Sequence, residues 1–189
     1  MENSNAVKTS KIKVAVGLAF ILFGVLALID IGYIIQSIVM GIAFIFGIVF
    51  TSIMQSSSSA IVIFQAFCVQ GLISFDVAIY LIIGAAIGSV TPNILASLTA
   101  NRNGKRTAII NLLFNLIRAA IIITLINIFP GILTFIQGLS PNDVGRQIAN
   151  AHTIFAISAV LIELPFTKQI IAISYKLIPV QETEKKAAE

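Results

Sequence analysis

Gln55-Ser56-Ser57-Ser58-Ser59 lies in the middle of 45 residues, 31–75, that carry no charged side chain; Asp30 precedes the stretch and Asp76 follows it. Hydroxyl and amide groups are costly in hydrocarbon unless something satisfies them. A polar cluster at membrane depth therefore lines a cavity, packs against protein, or grips a solute. The apolar arms on either side, residues 38–54 and 60–73, each fall short of the roughly 20 apolar residues of a full crossing, and together they are too long for one. The pattern predicts a re-entrant helical hairpin with the serines at its tip. Two thin crossings would have the same parity.

The composition agrees. Of 189 residues, 58% are apolar and 11% charged, and the mean hydropathy is +1.01; soluble domains carry about 25% charged residues. This is an all-α, multi-pass membrane bundle of a size for one compact domain. The net charge of +4 is scattered between apolar segments, which argues for membrane orientation and against a nucleic-acid partner. Cys68 is the single cysteine, so no internal disulfide exists. The polar first thirteen residues and the long apolar run after them do not resemble a cleaved signal. No nucleophile elbow, His-Glu metal spacing, acidic pair or phosphate loop is present, so no enzyme is expected. Ser57 as a protease nucleophile would have no base placed beside it.

Further spans are expected at residues 14–36, 77–98, 108–129 and 148–166, with an interfacial tail at 167–178. The domain reading is a polar N-terminus (1–13), one transmembrane domain (14–178) and a polar C-terminal tail (179–189). With both termini cytoplasmic, ten of the twelve Lys and Arg residues fall inside, leaving Arg146 outside and Arg118 within a span. The positive-inside rule favours that orientation in the cell membrane. Asp30, near a segment end, reads as interfacial.

Several residues are candidates for chemistry. If Ser56 to Ser59 begin a half-helix, their hydroxyls and free backbone N–H groups suit an oxyanion, and serine oxygens suit sodium. The competing reading is that small hydroxylated residues only let helices pack closely. Gly84 and Gly88 form a small-xxx-small pair, and Ser89, Thr91, Pro92 and Asn93 follow at once. Pro92 removes a backbone donor, which predicts a kinked or unwound span. Asn111 and Asn115 share one helix face. Arg118 would neutralise an anion, pair with Glu163 or snorkel to an interface. His152 is expected to be a hydrogen-bonded residue at the start of the last span.

The strings Thr51-Ser52-Ile53-Met54-Gln55-Ser56-Ser57-Ser58-Ser59-Ala60, Gly84-Ala85-Ala86-Ile87-Gly88-Ser89, Asn111-Leu112-Leu113-Phe114-Asn115 and Ala151-His152-Thr153-Ile154-Phe155-Ala156 together resemble the type II sodium/phosphate cotransporter family. They match its QSSS, GANIGTT-like, HLLFN-like and AHTLFN-like motifs, in order. The resemblance implies sodium-coupled movement of inorganic phosphate or a related oxyanion, with sodium as coupling ion and no other cofactor. It implies substrate on Gln55, Ser56, Ser57, Ser58 and Ser59, with sodium expected on Gln55, Ser57, Ser89, Thr91 and Asn115. Arg118, near a position the family commonly keeps small, is a candidate counter-charge to the substrate from its own place deep in a span. Ala86 and Ala156 stand where the family carries Asn, Ser89 and Val90 where it carries threonines, and Asn111 where it carries His.

Family members pair two inverted repeats, each with its own QSSS hairpin, and this chain has one such motif. The resemblance therefore implies a homo-oligomer or a complementary half-transporter. An antiparallel homodimer needs insertion in both orientations, which the cationic bias opposes. The rival reading is a non-transporting membrane subunit that assembles with or regulates a full-length transporter. A passive channel is a third.

Overall fold

Helix is the regular structure of every element among the residues that the computed structural model describes, 31–180. The polar N-terminus, Asp30, most of the expected first span and residues 181–189 of the C-terminal tail lie outside the described residues. The chain divides into two compact units, residues 1–39 and 40–189, and the packing below lies within the second.

Helix α1 (Ile31–Met54) has 24 residues, about 36 Å at 1.5 Å per residue, enough to cross a bilayer alone. The expected boundary between residues 36 and 38 is absent. Ser37 Oγ donates back to the Tyr33 carbonyl at 2.9 Å, so this polar pair is absorbed inside a continuous helix. The helix ends where Gln55 takes φ 54, the left-handed conformation that stops a helix. Ser56 then caps α2 (Ser57–Val69), its hydroxyl accepting from the Ser59 N–H. With 13 residues α2 is about 20 Å long, too short to cross. The two arms around the serines are thus unequal: one is long enough to cross a bilayer, the other is not.

Helix α3 (Phe75–Gly88) starts at Ser74, whose hydroxyl accepts from the Val77 N–H. A break at Ser89–Val90 separates it from α4 (Thr91–Thr99), which carries Pro92 in its first turn. The interruption falls where Pro92 predicted it. Helix α5 (Arg102–Ile128) begins at Asn101, whose side chain accepts from the Gly104 N–H at 2.9 Å. Arg102, Lys105 and Arg106 therefore lie on a helix, not in the loop the hydropathy pattern suggested. After the short α6 (Gly131–Gly138) comes α7 (Val144–Glu163), capped by Asp143, and a 3-10 turn at Leu164–Phe166 leads into α8 (Thr167–Leu177). Four runs are long and apolar enough to cross a membrane: Gly32–Met54, Phe75–Thr99, Arg102–Ile128 and Val144–Leu177.

Helix α3 is the hub, packed against α2, α5 and α7. Its Ala78, Ile79, Ile82, Ile83 and Ala85 are buried. Against α1 it makes a backbone seam. A Cβ added at Gly84 would meet the Phe44 carbonyl, one at Gly88 the Ile48 carbonyl, and one at Gly47 the Leu81 carbonyl. The glycine pair of α3 and Gly47 of α1 thus permit main-chain contact. At the other end α8 returns to the start of α5. There Arg106 Nε donates to the Ile178 carbonyl at 2.9 Å, and its guanidinium lies 4.6 Å from the Tyr175 ring centroid.

Candidate functional site

The break between α1 and α2 decides which serines look inward. Residues on a helix advance about 100° per position, so four consecutive serines at a helix start cannot share one direction. Ser57, half-buried, is the one that lines a cavity; Gln55, Ser58 and Ser59 are exposed. Ser56 spends its hydroxyl on the cap and lies 2.9 Å from Ser59 Oγ.

That cavity, about 70 Å³, opens where α2, α3, α5 and α7 meet. It would hold about five to seven waters at the 10–15 Å³ each requires. Its polar wall is Ser57, Ser89, Asn115, Arg118 and His152, and Ile82, Ile83, Ala86 and Phe155 are among its apolar lining. Four separate stretches of sequence contribute to it. Helix α2 presents its N-terminal end, where unbonded N–H groups carry positive partial charge. Helix α3 contributes Ala86 and, just past its end, Ser89, whose Oγ donates to the Ala86 carbonyl at 2.7 Å. Helix α5 contributes Asn115 and Arg118, one turn apart. Asn115 Nδ2 donates to both the Asn111 carbonyl and Asn111 Oδ1, at 2.9 and 3.0 Å. The side chain is thereby oriented, and its own carbonyl oxygen is left to offer the cavity. No carboxylate is among the described residues that line the space, so the full charge on its described wall is the positive one of Arg118.

The expected site residues divide into two groups. Ser57, Ser89, Asn115 and Arg118 are brought together. Gln55, Ser56, Ser58, Ser59 and Thr91 do not line the cavity; the Thr91 hydroxyl instead donates to Ser52 Oγ on α1 at 2.9 Å. His152 moves the other way. It lies two turns inside α7, which begins at Val144, and it lines the cavity instead of capping a helix start. The Ala151–Ala156 motif contains the signal for it, but hydropathy places the start of this helix at 148, four residues after Val144. Asp143 is the cap that hydropathy could not display, accepting from the Arg146 N–H at 2.9 Å. Arg118 and Glu163 share a second space, a groove of about 360 Å³ with Asn111 and Thr167.

Comparison with known proteins places this constellation. A profile of the Na+/Pi-cotransporter family matches residues 34–161, which contain every residue of the cavity. The Bacillus subtilis (strain 168) protein named "Uncharacterized protein YqeW" is 29% identical over 137 residues, 72% of this chain and 43% of that protein. The Escherichia coli (strain K12) protein named "Putative inorganic phosphate export protein YjbB" is 30% identical over 120 residues, 64% of this chain and 21% of that protein. Its Salmonella typhimurium counterpart of the same name is 36% identical over 81 residues, 43% of this chain and 15% of that protein. The chain thus spans less than half the length of these relatives. No solved structure matches it.

Proposed function

The chain belongs to the Na+/Pi-cotransporter family, a family of membrane transporters and not of enzymes, and from that premise we propose that its cavity binds inorganic phosphate or a related oxyanion. One observation carries the reading. Among the described residues the cavity wall has a single full charge, the Arg118 guanidinium, beside the N-terminal end of α2 and the Ser57 hydroxyl. An oxyanion answers all three, because it accepts hydrogen bonds from each and neutralises the arginine.

Sodium is the proposed coupling ion, held by the oxygens of Ser57, Ser89 and Asn115. Gln55 and Thr91 belong to this shell only if the tip rearranges, since neither reaches the cavity here. In this proposal the Gln55–Ser56 tip and α2 form a re-entrant hairpin, a reading supported by the 13-residue length of α2. The cationic bias of the loops supports cytoplasmic termini. A second subunit, a further copy or a complementary half, would cover Gln55, Ser58 and Ser59, polar groups exposed beside exposed Ile53, Met54 and Val62. Left toward lipid they would be costly.

Sodium-dependent uptake or export of labelled phosphate in proteoliposomes tests the proposal. We expect counts above those of empty vesicles that vanish when choline replaces sodium. Absence of flux with the chain alone and with every candidate partner half refutes transport. The rival, a non-transporting subunit, gains from Ala86, whose methyl stands in the cavity wall where the family carries an amide. Phosphate binding without flux in that assay would favour it.

A further inference from the structure

We propose that Glu163 and the anion of the cavity compete for one arginine, Arg118. The inference rests on the oxyanion reading above and adds a residue to it. Arg118 stands on the wall between two spaces, the 70 Å³ cavity and the 360 Å³ groove of Asn111, Asn115, Glu163 and Thr167. Glu163 ends α7, is 6% exposed, and its Oε1 is buried without a hydrogen-bond partner. Arg118 lines the same groove.

A buried carboxylate without a counter-charge is strongly disfavoured, and so is a half-buried guanidinium. Both line the groove, and among the described residues that line it they are the two that carry charge. The guanidinium, on a flexible stem, presents five N–H donors but carries one positive charge. With the cavity empty, that charge compensates Glu163. With an oxyanion beside Ser57, it turns to the anion. The released carboxylate is not stranded, because the groove has room for water and includes the Asn111 side-chain amide. Glu163 is therefore a built-in substitute anion. It keeps the empty site neutral and weakens the grip on the solute, which a carrier must be able to release.

Calorimetric titration of the purified chain with inorganic phosphate tests this. Glu163→Gln should tighten binding by about fivefold, the upper end for one modest ionic interaction. In an Arg118→Gln background the same change should alter affinity by less than about twofold. Glu163→Asp, which keeps the charge on a shorter stem, should give an intermediate value and serves if the Gln variant does not fold. Equal tightening in both backgrounds, or none in either, overturns the proposal.

Melting without phosphate supplies an independent reading. The Arg118 and Glu163 substitutions should be non-additive in the empty protein, and saturating phosphate should shrink that coupling in the wild-type background. Additive effects overturn the proposal whatever the titration shows. A wild-type chain that binds no phosphate would sink the oxyanion reading alone, and the melting cycle would still decide whether the two charges are coupled.

Discussion

Two faces of α3 do opposite work. One carries Gly84 and Gly88, pressed against the carbonyls of Phe44 and Ile48 on α1. The other carries Ile82, Ile83, Ala86 and, past the helix end, Ser89 along the cavity. Both use small residues, for different reasons. On the α1 side the small residue lets backbones touch, and any added atom must push a main chain. On the cavity side it leaves a void, and an added atom fills space that a solute would occupy. The contrast teaches that small residues in one membrane helix cannot be assigned a role until their direction is known.

The sharpest way to break this comparison is to put the same side chain on both faces. Gly84→Leu should prevent folding, since overpacking already costs about 1–3 kcal/mol where flexible side chains can yield and here the obstacle is backbone. Detergent melting and size-exclusion profiles would report it, and a wild-type profile would end the seam argument. Two residues along, Ala86→Leu should fold with a loss below about 1.5 kcal/mol yet abolish phosphate binding. Binding that survives would show that the solute sits elsewhere.

A smaller effect separates neighbouring serines. Ser57→Ala should weaken phosphate binding by about tenfold or more, the loss of one hydrogen bond to a charged group. Ser58→Ala should leave it nearly unchanged, because Ser58 is exposed outside the cavity. Equal losses would mean that the tip moves when solute binds. The smallest effect tests the seam from its own helix. Gly41 on α1 has open space where a Cβ would go, so Gly41→Ala should stabilise by about 0.5–1 kcal/mol through helix propensity alone. Destabilisation there would mean that unseen packing covers this face.

Much of this was legible in the residues. The uncharged stretch of 31–75 marks a membrane protein because no soluble fold tolerates such a run at this composition. Pro92 foretold a break, and the helix stops immediately before it at Ser89–Val90. The Gly84–Gly88 spacing foretold close packing, though not that Gly47 would answer it from α1. The unequal arms around the serines are not legible, because Gln36 and Ser37 look like a boundary, whereas the Ser37 hydroxyl bonded to its own helix hides its polarity. Asn101 and Asp143 start their helices earlier than hydropathy suggested, since a cap is a local hydrogen bond and leaves no mark on an average over twenty residues.

By itself the chain determined its solvent, its helical character and its family, because these follow from transfer free energies, short-range periodicity and motif order. It could not decide which hydroxyl of four turns inward. That choice belongs to one left-handed residue, Gln55, and one cap, Ser56, which set the rotation of α2. Nor could it bring His152, Arg118 and Ser57 to one wall, or put Glu163 behind it. Those are distances between helices far apart in sequence, and only packing around α3 fixes them.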